Sequence, residues 1–387
     1  MKLIKNAYLV SAAEVNYELS DVLIKDGKIS KVGQLNAKDY SCEVIDAKKR
    51  WVTPGFVDPH CHIGLYEEAI GFEGADGNEA TEPSTPNMKG FDAIYPYDVS
   101  FKDAVKGGVT AVSTGPGSAN VIGGTFSVIK TVGNNVEEMV VVKEVAMKMA
   151  LGENPKRVYN GKKVTPSTRM GSAAVMRREL TKAKEYYDKV AKHLKDDGDK
   201  PAFDDKLESL ARVFDGFLVK VHAHRTDDIQ TAIRICKEFK LNYTIEHCTE
   251  AHLMVEDLVK DNVRVIIGPT LGTKSKYELR NKSFETCGIL EKAGVEFAIM
   301  TDHPVMALSD TRVQTAIMIR EGLSELGAIK AMTINGAKLN GVEDRIGSIE
   351  VGKDADIVIW SGNPFEFMTV ADQVYIDGNK VYDKEDC

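Results

Sequence analysis

One short segment, Val57-Asp58-Pro59-His60-Cys61-His62, carries two histidines and an aspartate at alternate positions. Side chains at every second position of a β-strand point to the same face, so Asp58, His60 and His62 share one face. Two imidazoles at this spacing can bind a single divalent ion such as Zn²⁺. The spacing indicates a metal site, although such a histidine pair alone also occurs on surfaces and in cores.

Other polar residues of the metal-ligand type stand where apolar segments end. His222 and His224 close one such segment, His247 closes the next, and Asp302-His303 follows the last. Burying an imidazole or a carboxylate at the end of an apolar strand is costly unless the group is paired or bound to a metal. We therefore expect these side chains to converge.

The elements that would position them alternate between apolar, strand-like segments and segments of helical periodicity. This alternation over residues 56–344 predicts a (β/α)8 barrel of the TIM type, an α/β fold in which active sites lie at the carboxyl ends of the strands. A doubly wound open sheet is the rival, but no GxGxxG turn follows the first strand. The eight predicted strands are Gly55–His62, Thr110–Thr114, Phe126–Thr131, Val145–Leu151, Phe217–His222, Tyr243–His247, Arg264–Gly268 and Glu296–Thr301.

Both ends of the chain show a different sequence pattern, in which short β-forming segments are separated by turns. Asp26-Gly27 and Asp377-Gly378 are hairpin signals within these ends. The sequence predicts that residues 1–55 and 345–387 together form one small β-sandwich domain, with the barrel between them.

The composition excludes several classes of protein. The 387 residues include 50 basic and 58 acidic side chains, for a net charge of −8, which disfavours binding to nucleic acid. No apolar run approaches the ~18 residues that a membrane span needs. The six cysteines show no CxxC spacing. We therefore expect a cytoplasmic protein that binds neither nucleic acid nor a membrane.

Taken together, these motifs resemble the amidohydrolase superfamily, in particular the branch with imidazolonepropionase and the metal-dependent Xaa-Pro dipeptidases. The resemblance covers nearly the whole chain. Its motifs are Pro54–His62 for the first barrel strand, His222-Ala223-His224 for the fifth, Ile245-Glu246-His247 for the sixth, Thr301–Pro304 for the eighth, and Gly347–Val358 for the return into the β domain.

The resemblance implies a role for each matching residue. His60, His62, His222, His247 and Asp302 are the implied metal ligands, and the cofactor is zinc or another divalent metal, as one or two ions. Asp302 is also the implied catalytic residue, which accepts a proton from the water that the metal activates.

The fourth strand leaves two alternatives for a further ligand. Lys148 could be carboxylated by carbon dioxide, as in several binuclear relatives. Glu153 could bind the metal directly from the end of the strand, and it is the residue we expect as the ligand.

Three residues are expected to bind the substrate. His222 precedes the small residue Ala223, as the family's ligand does, so His224 is assigned to the substrate rather than to the metal. Arg169, like Arg157, could pair with a substrate carboxylate. His303 is the third expected contact.

The predicted activity is hydrolysis of a carbon–nitrogen bond in a small molecule, such as an amide, a cyclic amide or a dipeptide-like amide, by a homo-oligomer. Deamination of a heterocycle is the alternative within enzymes. The deaminases of this superfamily carry an HxxE arrangement on the fifth strand, whereas Arg225 stands three residues after His222 here. A non-catalytic scaffold is the alternative outside enzymes, and the complete set of ligands argues against it.

Overall fold

Two eight-stranded sheets organise the chain in a computed structural model that describes residues 1–12, 18–68, 71–196 and 199–386. The strands are β1 (Lys2–Leu9), β2 (Glu18–Lys25), β3 (Lys28–Gly33), β4 (Glu43–Asp46), β5 (Trp51–Pro54), β6 (Phe56–Cys61), β7 (Val109–Thr114), β8 (Ile122–Lys130), β9 (Val140–Ala150), β10 (Leu218–Ala223), β11 (Tyr243–His247), β12 (Val265–Ile267), β13 (Phe297–Ile299), β14 (Ile357–Trp360), β15 (Ala371–Ile376) and β16 (Asn379–Asp383). The helices are α1 (Val99–Lys106), α2 (Val136–Met139), α3 (Glu153–Gly161), α4 (Arg169–Asp196), α5 (Asp205–Ala211), α6 (Thr226–Phe239), α7 (Val255–Lys260), α8 (Thr286–Ala293), α9 (Thr311–Arg320), α10 (Glu325–Met332) and α11 (Ile334–Leu339). Within these ranges, no helix has the length and apolar character needed to cross a membrane.

The first sheet joins the two ends of the chain. Its strands run in the order β16-β15-β14-β5-β1-β2-β3, and β4 pairs with β1. The hairpin between β2 and β3 turns at Asp26 and Gly27, whose φ angles of 51° and 76° lie in the left-handed region that the Asp-Gly pair accepts. The predicted β unit from both termini is confirmed, whereas its exact limits at residues 55 and 345 stay a prediction.

The second sheet forms the barrel, in the order β6-β7-β8-β9-β10-β11-β12-β13. Its ends meet where the last strand passes the first. Asp302 N–H donates to the carbonyl of His60 at 3.3 Å, and His62 N–H donates to the carbonyl of His303 at 2.8 Å. The Asp58 carboxylate accepts hydrogen bonds from the backbone N–H and the hydroxyl of Thr301 at 2.8 and 2.7 Å. The expected TIM-like barrel is confirmed.

One strand departs from the regular alternation. β8 runs antiparallel to both neighbours, β7 and β9. Only residues 115–121 link β7 to β8, and only 131–139 link β8 to β9. A parallel crossover needs a dozen or more residues, so neither link can hold one. The sequence pattern identified the strand but not its direction.

A long segment after the first barrel strand lies along β8. Ser84 bridges to Ile122 and Lys89 bridges to Thr125, both as isolated parallel bridges. Thr125 N–H donates to the carbonyl of Met88 at 2.9 Å. Gly124, directly before Thr125, has φ 113°, and a Cβ there would clash with the Met88 carbonyl. The segment is therefore paired with β8 through its backbone.

A buried ion-pair network joins the barrel to the terminal sheet. The Lys130 ammonium, at the end of β8, lies 2.5 Å from Asp356, 3.2 Å from Asp354 and 3.3 Å from Asp377. Burial opposes the charge of Lys130, but the three carboxylates outweigh it and raise the pKa of this lysine. Lys130, Asp354 and Asp356 are each only 4% exposed.

Replacing this lysine tests its contribution to stability. We expect Lys130→Met to lower the free energy of unfolding by ~3–5 kcal/mol, because it leaves buried carboxylates without their cation. Urea denaturation followed by circular dichroism measures the change. Lys106→Met is the control, since Lys106 is exposed and pairs only with Asp103 of its own helix in the described structure; its effect should stay within ~0.5 kcal/mol. Equal stability of the two variants would contradict the role of Lys130.

Candidate metal centre

Six side chains form two adjacent groups at the carboxyl ends of the barrel strands. One group is His60, His62 and Asp302, and the other is His222, His224 and His247; in each, the possible ligand atoms lie within 4.8 Å of one another. The groups adjoin, because the rings of His60 and His247 are 5.7 Å apart and those of His222 and His247 are 4.3 Å apart.

The first group presents nitrogen lone pairs to the centre. His60 Nδ1 lies 2.6 Å from Glu246 Oε2, and His62 Nδ1 lies 2.7 Å from the carbonyl of Gly115. A carbonyl oxygen only accepts, so Nδ1 of His62 carries the proton and Nε2 of the neutral ring carries a lone pair. That Nε2 lies 3.1 Å from Asp302 Oδ1, another acceptor. Two acceptors at this distance need a proton or a cation between them.

In the second group, two of the three rings also have a partner at Nδ1. His247 Nδ1 donates to the carbonyl of Gly268 at 2.9 Å, and His224 Nδ1 lies 2.7 Å from the Thr249 hydroxyl. Both ring nitrogens of His222 and Nε2 of His224 are buried with no hydrogen-bond partner among the described residues. Burial lowers the pKa of His222 to about 4, which favours the neutral ring that binds metals.

These observations test whether a metal fits. Buried polar atoms without partners are rare in proteins, and each one calls for an explanation such as an ion. Imidazole nitrogens with one carboxylate are the donors that Zn²⁺ prefers, and Nδ1 bonds to a carboxylate or a carbonyl are the usual outer support of such ligands. The residues present therefore fit a divalent metal.

Backbone geometry turns two of these side chains inward. His247 has φ 68° and Asp302 has φ 53°, both in the left-handed region that is uncommon for residues other than glycine. Simple strand alternation would place Glu246 and His247 on opposite faces. Because the chain turns at His247, both side chains reach the centre.

On the fourth strand, the structure brings Lys148 rather than Glu153 to the centre. Lys148 Nζ lies 3.0 Å from His60 Nε2, and burial lowers the pKa of this lysine to about 8. Glu153 begins α3 and lies outside both groups. Its carboxylate accepts a hydrogen bond from the backbone N–H of Glu278 at 3.4 Å.

The sequence reasoning missed a carboxylate beside the second group. Glu278 is fully buried, with Oε1 3.5 Å from His224 Nε2 and 3.9 Å from His222 Nε2, the latter too long for a hydrogen bond. Burial opposes its ionisation, but His222, His224 and Lys276 together lower the pKa of Glu278. It lies in a short 3-10 turn, Tyr277–Leu279, that follows β12 without any periodic pattern.

A second unassigned carboxylate, Glu246, orients His60. It is fully buried, accepts the His60 bond and a bond from the Thr244 hydroxyl, and lies 3.7 Å from the Lys220 ammonium. Lys220 in turn donates to the carbonyl of Pro59 at 2.9 Å. Lys220 stands two residues before His222 on β10, and Glu246 stands two residues after Thr244 on β11. Side chains at this spacing share one face of a strand, and this was the signal that could have revealed Lys220 and Glu246.

Asp302 is held ionised by its neighbours. Burial opposes its charge, but a proton between His62 Nε2 and Asp302, together with the charges of His60 and Lys148, keeps the pKa of Asp302 well below the usual range; a divalent ion at the same place would act in the same direction. Asp58, by contrast, has its pKa raised to about 7, chiefly by burial. Asp302 is thus available to accept a proton at neutral pH.

The expected substrate residues have different surroundings. His224 belongs to the second group, although the sequence assigned it to the substrate. The Arg169 Nε donates to both carboxylate oxygens of Asp228, at 3.1 and 2.9 Å. His303 is buried, and within the described chain neither of its ring nitrogens has a partner.

The sequence profile of the amidohydrolase family matches residues 51–381. The chain belongs to the amidohydrolase family. A solved amidohydrolase from Thermotoga maritima MSB8 is 45% identical, covers 99% of this chain and 100% of its own, and superposes with a TM-score of 0.96. The superfamily identified from the motifs is therefore confirmed.

Two curated relatives extend this comparison. The amidohydrolase tasK of Hapsidospora irregularis is 29% identical over 94% of this chain, which spans 40% of that protein's length. An imidazolonepropionase of Brucella anthropi is 26% identical over 87% of this chain and 85% of its own. A Xaa-Pro dipeptidase structure with bound methionine is 19% identical, with a TM-score of 0.56 over 99% of both chains, and shares the fold.

Removing the charge of Glu246 tests its support of His60. We expect Glu246→Gln to weaken Zn²⁺ binding about 10- to 100-fold, because such outer partners raise the basicity of the ligand and because Lys148 and Lys220 lose a neutralising carboxylate. Competition with a chromophoric chelator measures the affinity. Glu137→Gln, an exposed change on α2, is the control. Unchanged affinity in a folded Glu246→Gln protein would show that Glu246 does not support the ligand.

Proposed function

We propose that this chain is a metal-dependent hydrolase of an amide or cyclic amide bond in a small molecule. The observation that carries the proposal is the pair of three-residue groups at the carboxyl ends of the strands, with lone pairs turned to one centre. Membership of the amidohydrolase family supports it, as do relatives named imidazolonepropionase. Screening a library of amides with zinc-reconstituted protein tests it.

Two ions would occupy the two groups, with zinc as the proposed metal. His60, His62 and Asp302 would hold one ion, and His222, His247 and His224 the other. A divalent ion bound there polarises a carbonyl and lowers the pKa of a bound water to about 7. Lys148, from its position beside His60, would supply a further ligand as a carbamate, formed when its neutral amine adds to carbon dioxide and releases one proton. This replaces Glu153 as the proposed fourth-strand ligand.

The protein's own residues would move the proton. Asp302, kept ionised by His62, accepts a proton from the attacking water at a carboxylate oxygen and passes it to the leaving nitrogen. His303, buried next to Asp302, is the proposed substrate contact on this side. Deamination of a heterocycle would use the same site and stays the second candidate. This chain lacks the glutamate of the HxxE arrangement, since Arg225 stands at that position.

The setting of the enzyme is also a proposal. We infer a cytoplasmic protein, because five buried or half-buried cysteines form no disulfide in the described chain; Cys387 lies outside the described residues. That it is a homo-oligomer stays a prediction.

Replacing Asp302 tests the proton transfer. We expect Asp302→Asn to keep the fold and to lower turnover ~10²–10⁴-fold, because the amide cannot accept the proton. The rate of the amide found in the screen, at saturating zinc, is the measurement. Asp310→Asn, an exposed change in the turn before α9, is the control. If Asp302→Asn retained bound metal and worked within about threefold of the parent protein, Asp302 would not be the base.

Metal content tests the role of Lys148. We expect two equivalents of zinc in the parent protein and in Glu153→Gln, and one in Lys148→Ala, because Lys148 lies beside His60 whereas Glu153 lies outside both groups. Elemental analysis gives the stoichiometry, and NMR after exchange with ¹³C-bicarbonate detects the carbamate. Loss of one ion from Glu153→Gln, with Lys148→Ala unaffected, would restore Glu153 as the ligand.

A further inference from the structure

A cationic cavity opens beside the second histidine group. It has a volume of about 470 Å³ and lies where α3, α4, α6 and the turn after β12 meet. Most of its lining side chains are basic or otherwise polar. They are Glu153, Lys156, Arg157, Asn160, Arg169, Arg225 and Tyr277.

Two of its four cations already have carboxylate partners. Arg169 binds Asp228, and Arg225 binds Asp227 through two nitrogens, both at 3.0 Å. Lys156 and Arg157, in the first turns of α3, have no carboxylate within 4.0 Å in the described chain. Glu153 adds one carboxylate to the lining, so the four cations face three carboxylates when Asp227 and Asp228 are included, and one positive charge is left over.

The cavity is separated from the histidines by one residue. Tyr277 lines the cavity, and its neighbour Glu278 lies 3.5 Å from His224. Glu153 also lines the cavity, and its backbone N–H donates to the Glu278 carboxylate at 3.0 Å. The cavity therefore lies next to the second histidine group, on the other side of Glu278.

We propose that this cavity binds a carboxylate of the substrate, with Arg157 and Lys156 as its partners, so that the enzyme acts on amides bearing an acidic substituent. The inference rests on the proposed function. Arg pairs with a carboxylate through two parallel hydrogen bonds, and the ammonium of Lys adds a second charge. Arg169, the arginine expected from the sequence, also lines the cavity, but its guanidinium is already paired with Asp228.

The test compares substrates that differ only in charge. N-acetyl-L-amino acids and their C-terminal amides are assayed for acetate release, and binding of the acids to the zinc-loaded protein is measured by calorimetry. We expect Arg157→Met to raise KM and weaken binding of the acids about 10- to 100-fold, with kcat little changed and the neutral amides within twofold. Lys156→Met should act in the same direction. Arg320→Met, an exposed change on α9, is the control.

Each outcome bears on a different claim. If the acids and amides bind and react equally, and Arg157→Met alters neither, there is no carboxylate subsite. If calorimetry shows that inorganic phosphate binds in an Arg157-dependent way and that none of the acids binds, the cavity selects phosphate and the inference is wrong. If no amide reacts but calorimetry shows Arg157-dependent binding of the acids, the subsite stands and the proposed hydrolysis fails.

Discussion

Burial of ring nitrogens away from water is the constraint on which the centre depends. An unpaired polar atom there costs free energy, and four of the five histidines in the two groups give their Nδ1 a partner inside the protein; His222 is the exception. A carboxylate, a hydroxyl and two backbone carbonyls serve His60, His224, His62 and His247. With Nδ1 committed, the four rings can only turn Nε2 towards the middle. The orientation of the centre is therefore set by loops and strands outside it.

Local patterns in the sequence were enough to single out the six side chains of the two groups but not their surroundings. His60 and His62 follow the two-residue period of a strand, and the ends of apolar segments revealed His247 and Asp302. Glu278 carries no such signal, because it lies in an irregular turn and reaches the histidines only through the folded path of the chain. The reversed direction of β8 was hidden for a related reason, since strand periodicity is the same in both directions.

The terminal sheet does more than cover hydrophobic surface. β5 belongs to that sheet, β6 is the first barrel strand, and only Gly55 separates them. Gly55 N–H donates to the carbonyl of Asp356 at 3.0 Å, and the next residue, Phe56, donates to Gly108 at 2.9 Å. The strand that carries His60 is thus fixed at its start by the sheet and at its end by the contact with Asp302. Residues from both ends of the chain therefore help to position this strand.

The long connection between β6 and α1 includes the segment that lies along β8. It also carries Tyr66, whose ring stands 6.1 Å from that of His62. A surface loop ordinarily drifts freely in length and sequence during evolution, and engineers use this freedom to change what an enzyme accepts. Here such drift is restricted, since a deletion would uncover the strand as well as reshape the opening. The Tyr159 hydroxyl of α3 donates to the carbonyl of Glu82, so this helix packs against the same segment and would be disturbed by a change in its length.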